Sequence, residues 1–149
     1  MTKELLKQYL AQKGWNYLEK DEILKLDVNG NDFSWNSFLK VDEAYSLCYF
    51  AVLPAVIPED RRALFSNLLH IINCRIWFGD FEMVLTGEEA GQVRLRTSTF
   101  LPPDTAEETL LQLVDVTVNM NMAAMNFYGP TLLKALYGDS LRTEDYIPD

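Results

Sequence analysis

Apolar residues recur along this chain with two different periods, and the change of period divides it into elements. Between Pro58 and Glu82, Phe65, Leu68, Leu69, Ile72 and Ile76 follow three- and four-residue steps, the spacing that lines one face of a helix. Pro58 suits the first helical position because its missing N–H would find no partner there, and Glu59 and Asp60 favour the positive end of the helix dipole. Gly79 is the expected left-handed stop, and the chain should pass from it directly into a strand. Before this central helix the period is mostly two. A first helix, with Thr2 as its cap and Leu5, Leu6, Tyr9 and Leu10 on one face, closes at Lys13-Gly14. From Trp15 and Tyr17 the pattern alternates through Ile23, Leu24, Leu26 and Val28 to Asn29-Gly30, a strong two-residue hairpin signal. Phe33, Trp35 and Phe38 continue the rhythm. Tyr45 to Leu53 is apolar at nearly every position, as expected of a strand covered on both faces, and the Leu53-Pro54 and Ile57-Pro58 steps should stop it.

After the central helix, Phe81, Met83 and Leu85 alternate with Glu82, Val84 and Thr86. The turn from Gly87 to Gly91 then leads into Val93, Leu95, Thr97 and Thr99, which predicts a second hairpin. Leu101-Pro102-Pro103-Asp104 links it to the last region. There Val116, Val118, Met120 and Met122 alternate like a strand, yet no turn signal interrupts more than 20 residues. Strands rarely exceed ~10 residues, so length favours one long helix over 105–128, with Leu111, Val114, Val118, Met122 and Met125 on its inner stripe. A second stripe, Leu113, Val116, Met120, Ala124 and Phe127, makes the apolar face wider than one sheet surface requires. Gly129-Pro130 should interrupt or kink the helix before Leu132, Leu133, Leu136 and Tyr137 continue it to Gly138. An acidic tail over 139–149 is expected to fray. The pattern predicts one α+β domain over 1–149, with an antiparallel sheet of five or six strands and N-terminal, central and C-terminal helices.

Composition narrows the function classes. With 149 residues, 48% of them hydrophobic and 23% charged, the chain can build one ordinary core. Its net charge of -9 would repel nucleic-acid phosphates and anionic lipids, so neither is an expected partner. No apolar run reaches the ~18 residues of a membrane span, the first residues lack a secretory signal, and a cytoplasmic protein is expected. Two cysteines, Cys48 and Cys74, make no disulfide framework or metal knuckle and are expected to be reduced and buried.

Candidate chemistry is sparse. His70, the single histidine, lies one helical turn before Cys74, so an imidazole-activated thiolate is conceivable, but two ligands do not hold a metal ion. Arg62, Arg94 and Arg96 can grip an acidic peptide or a small anion with their planar forks, or pair with Glu82 or Glu59 on a solvated face. Met120, Met122 and Met125, with Phe127, suit either core or a re-packable interface. Glu88-Glu89, Glu107-Glu108 and Glu144-Asp145 fall in a turn, a helix start and a tail, where acids have ordinary local roles. The glycines do not cluster into a phosphate-binding loop. No catalytic residue, cofactor or metal site is expected.

Several short segments together carry a resemblance. They are Pro58-Glu59 with Arg62, Leu68-Leu69 and Asn73 leading to Gly79-Asp80-Phe81-Glu82, then Val93-Arg94-Leu95-Arg96-Thr97, and Pro130 with Leu132-Leu133 and Tyr137-Gly138. In these the chain resembles the YbjN family of proposed bacterial sensory transduction regulators, with His70 standing where that family more often has asparagine. The resemblance implies a type III secretion chaperone-like fold, a helix-flanked antiparallel sheet that commonly forms homodimers, which would account for the second stripe. It further implies binding of a client or regulatory protein by a non-enzymatic adaptor. Aromatic and arginine residues around a pocket would suit the alternative, a sensor of a small anionic metabolite.

Overall fold

The computed structural model describes residues 2–147, in the order helix α1 (Thr2–Lys13), strands β1 (Leu18–Lys20), β2 (Ile23–Asn29), β3 (Ser34–Val41) and β4 (Ser46–Val56), helix α2 (Arg62–Arg75), strands β5 (Gly79–Met83) and β6 (Gln92–Phe100), and helix α3 (Glu107–Tyr137). Single 3-10 turns precede α2 (Glu59–Arg61) and follow α3 (Thr143–Asp145). The capping side chain of Thr2 and the last two residues of the tail lie outside what is described. The six strands form one antiparallel sheet in the order β1-β2-β3-β4-β6-β5, the α+β architecture that the periodicities predict.

Alternation sends Leu24, Leu26, Trp35, Leu39, Leu47, Tyr49, Ala51, Leu53, Phe81, Val93 and Leu95 to one face, where all are buried. The helices cover that face: α3 lies over β4 and β6, α1 over β3 beside α3, and α2 against β5. Among the described residues no helix packs on the opposite face. Cys48, Phe50 and Val52 on β4 are therefore only half-buried, and the expectation of a strand covered on both sides is corrected. Their partial shielding comes from cross-strand neighbours, Phe38 opposite Phe50 and Arg94 opposite Val52, with the Arg94 guanidinium 5.2 Å from the Phe50 ring centre.

Other departures have equally local causes. The Asn29-Gly30 turn is a four-residue loop, closed by the Gly30 N–H to Phe33 O at 2.9 Å. Glycine is needed there because a Cβ would strike the Trp35 ring and lie 2.6 Å from Asn126 Oδ1 on α3. Gly79 does not end α2. The helix stops at Arg75, Ile76 turns into extended backbone, and Gly79 opens β5, where a Cβ would sit 2.5 Å from the Arg96 carbonyl oxygen. Pro58 precedes the first turn instead of occupying it. Pro54 does not stop β4, because the register slips between Val52 and Val56 and the ladder asks no N–H of the proline. Helix α3 runs unbroken through Pro130 for 31 residues. Cys48 is half-buried and Cys74 is exposed, since the outer face of α2 carries it.

The acidic tail is folded as far as Ile147, which is buried in the main core with Tyr146 packed against it. Arg61 holds this end. Its guanidinium donates to Ala135 O at 2.7 Å and to Gly138 O, supplying hydrogen bonds to carbonyls that the end of α3 leaves without helical partners. The Tyr146 hydroxyl adds a bond to Ser140 O at 2.7 Å.

Beneath α3 runs a buried polar seam. Asn121, fully buried, donates through Nδ2 to Tyr49 O at 3.1 Å and Leu95 O at 3.0 Å, bridging β4 and β6. Thr97 Oγ1 donates to Thr117 O at 3.0 Å one turn earlier, and Thr117 Oγ1 to Leu113 O at 2.8 Å. At the far end, Asp115 accepts from the Tyr9 hydroxyl and the Lys13 ammonium, both at 2.9 Å, tying α1 to α3.

Two measurements check these ties. Replacing Asn121 with Leu strands no amide of its own but deprives the seam of its donors, and should lower stability by roughly 1–3 kcal/mol in urea unfolding. The Asp115 carboxyl is held below its ordinary value, chiefly by the hydrogen bond from Lys13. Its contribution to stability is therefore complete above the ordinary carboxylate range and disappears as pH falls through the lowered value. An acid titration of stability should lose this component in Asp115→Asn, by no more than about 0.5 kcal/mol because the pair is partly exposed.

Candidate functional site

Helix α3 divides the residues expected to form an interface. Met125 is fully buried in the main core, so its place in an exposed surface is corrected; Ala124 of the expected outer stripe is buried as well. Met122 is half-buried where the two core clusters adjoin. Met120 and Phe127, 39% and 75% exposed, face outward with Val116 at 52%. Steps of four and seven residues put Val116, Met120 and Phe127 on one stripe, which no element of this chain covers among the described residues. Phe127 is held edge-on against Tyr128 at 4.8 Å, and Tyr128 edge-on against Phe81 at 6.2 Å, so the exposed ring stands on a braced aromatic stack.

The arginines have other occupations. Arg62 turns back to the Ile57 carbonyl at 3.2 Å and reaches Ala90 O at 3.5 Å, stitching two loops. Arg94 Nε lies 2.6 Å from Glu82 Oε1, and Arg96 lies 3.9 Å from the second oxygen of the same carboxylate. The structure thus brings Arg94 and Arg96 together on the open sheet face, with Glu82 between them, and places Arg62 elsewhere. Asn73, quoted above for the resemblance, has a structural role: its amide exchanges two hydrogen bonds with the backbone of Phe81, at 2.8 and 2.9 Å, joining α2 to β5.

His70 and Cys74 are both exposed, with Nε2 and Sγ 4.0 Å apart. Among the described residues no third histidine, cysteine or carboxylate joins them in a metal-binding group. Burial pushes the Cys48 thiol up, away from the reactive thiolate.

The periodicity conceals a cleft. Alternation suggests a strand from Trp15, but β1 spans only Leu18–Lys20 and pairs with β2 no further than Lys25. Trp15 instead packs edge-on against Tyr9, with ring centres 6.0 Å apart, so residues 14–17 swing clear of the sheet. The gap beside β2 measures about 670 Å³ and is walled by Trp15, Tyr17, Val28 and Met122, with Lys25 and Asp27 at its polar side. Only the break of strand geometry after Gly14, whose φ of 70° turns the chain at the end of α1, hints at it in the sequence. Trp77, 95% exposed between α2 and β5, is a further surface residue that the pattern does not single out.

No described helix is long and apolar enough to cross a membrane. No protein-family model matches the chain, and no curated protein matches it in sequence. Solved structures do match. That of YbjN from E. coli, a proposed transcription regulator, superposes with a TM-score of 0.67 at 12% identity, over 87% of this chain and 92% of that one. A chain of the ExsC–ExsE complex gives 0.53 at 18% identity, over 87% and 91%. The Yersinia pestis type III secretion chaperone SycH, solved with a fragment of YscM2, gives 0.42 at 16% identity over 80% and 99%, a likeness too remote to argue from. The fold is shared with YbjN and with the ExsC–ExsE chain, as the resemblance implies.

Arg61 and Arg96 offer a contrast between a cation that completes the fold and one on a solvated face. Arg61→Ala should cost about 2 kcal/mol in denaturant unfolding through the carbonyls it leaves unpaired, and Arg96→Ala less than about 0.5 kcal/mol.

Proposed function

We propose that this chain is a non-enzymatic protein-binding module, a chaperone-like or regulatory adaptor that acts as a homodimer. The observation that carries the reading is the outer stripe of α3, Val116, Met120 and Phe127, apolar and uncovered while the inner stripe of the same helix is already engaged with the sheet. Exposed apolar patches on a monomer mark contact surfaces, and an aromatic ring near the centre of such a patch is a typical anchor. The likeness to a chain of the ExsC–ExsE complex, itself an assembly of two proteins, supports the same reading, and so does a net charge of -9, which suits a protein partner better than a nucleic acid. The seam and the braced aromatic stack make the surface rigid, so little ordering entropy opposes docking.

A second reading, a small-ligand sensor, is favoured by one observation, the cleft beside β2. Its arginine component finds no support, because Arg62, Arg94 and Arg96 take no part in the lining.

Sedimentation at micromolar concentration tests the first reading. The unmodified chain should run as a dimer, and Met120→Glu and Phe127→Glu should each weaken self-association by roughly 30-fold or more, lowering the unfolding midpoint only at concentrations where the unmodified chain is dimeric. A monomer whose behaviour neither variant changes would remove the homodimer from the proposal. Client binding is then judged by whether a protein captured by the unmodified chain is lost to the same two variants.

A further inference from the structure

From the chemistry of the cleft beside β2 we infer that it binds a free dipeptide whose C-terminal side chain is bulky and apolar, held by both of its charged ends. The inference deepens the ligand-sensing reading and rests on it. Three independent features define the ligand.

The first is the strand edge. In an antiparallel ladder, residues bond alternately to one neighbour and the other. The Gly30 N–H bonds Phe33 O at the hairpin end, so the even-numbered residues of β2 face β3, and Asp27 and Asn29 turn N–H and C=O to the opposite edge. β1 covers that edge only as far as Lys25. A ligand here must offer the donor and acceptor of one residue side by side, as the ammonium and the carbonyl of a dipeptide's first residue do opposite Asp27.

The second is charge. Lys25 and Asp27 share one side of β2, with Cα atoms about 7 Å apart along the strand. Neither belongs to an ion pair among the described residues. A simple anion would meet the Asp27 carboxylate and a simple cation the Lys25 ammonium, whereas a zwitterion answers both. An extended dipeptide also spans about 7 Å. With its ammonium at Asp27 and its carboxylate at Lys25 it runs antiparallel to β2, the direction β1 already takes.

The third is the apolar lining. Leu26 and Val28 alternate to the helix side of the edge, where Trp15, Tyr17 and Met122 complete the walls. The volume of about 670 Å³ lies within the range of small-molecule sites and leaves room for a large side chain. Successive side chains of an extended ligand alternate in face, so the second enters the gap beside Leu26 while the first lies on the open side with Asp27.

The test is calorimetric titration of the full chain with four probes: L-phenylalanyl-L-leucine, its N-acetyl form, its C-terminal amide, and the form capped at both ends. The free dipeptide should bind saturably, and loss of either charge should weaken binding about tenfold or more. Lys25→Gln and Asp27→Asn, both at the solvent side of the strand, should do the same with unchanged thermal midpoints. If the N-acetyl form binds as well as the free dipeptide and Asp27→Asn has no effect, the dipeptide proposal falls and the anion-sensing reading survives. Equal binding of all four probes overturns it in favour of an edge that reads any extended segment. If no probe saturates but an anionic metabolite raises the melting temperature, only the dipeptide is lost; if nothing binds, the sensor reading goes with it.

Discussion

The fold depends on how α3 is seated, and the buried Thr97–Thr117–Asn121 seam decides it. A long helix with two adjacent apolar stripes could roll on an apolar sheet at little cost, because hydrophobic contact has no direction. Hydrogen bonds have one. Asn121 reaches carbonyls on two neighbouring strands, and Thr117 meets Thr97 a turn earlier, so a rotation that buried Met120 in place of Met125 would strand these groups away from water. The seam therefore selects which stripe faces inward, and the outward stripe becomes a surface as a by-product of that choice.

Much of the architecture was legible because period and length agree with it. The α2 stripe, the hairpin of β5 and β6, and the choice of helix over strand for α3 all follow from apolar spacing over long runs. What misled was glycine and proline taken as punctuation. Gly30 and Gly79 are needed for close approach, to Trp35 and α3 in one case and to the Arg96 carbonyl in the other, and such crowding is tertiary information. Pro54 sits in a register slip that only the partner strand reveals. Pattern alone could not divide Met125 from Met120 either, since both belong to apolar stripes and the discriminating contacts come from strands far away in sequence. The cleft was hidden for the opposite reason: Trp15 and Tyr17 keep a strand's alternation without pairing as a strand.

The basic residues show how context assigns one chemistry to different tasks. Arg61 and Arg62 are adjacent at the start of α2, yet one caps the end of α3 and the other stitches the loops around Ile57 and Ala90. Arg94 and Arg96 share a strand face and a single carboxylate. Positive charge in this acidic chain is thus spent largely on its own backbone and its own acids. Lys25 and Asp27 beside the cleft differ from these in belonging to no ion pair among the described residues.

The position of α3 after all six strands has a consequence for synthesis. All six strands precede it, and α3 brings most of the cover for β4 and β6. A chain emerging from the ribosome in order therefore completes its sheet with the inner face of those strands bare, and the Arg61 contacts that secure the helix end span 74 and 77 residues. Folding is withheld until α3 and the turn after it have been made, and in that interval the exposed half-sheet is the stage most open to mispairing with another chain.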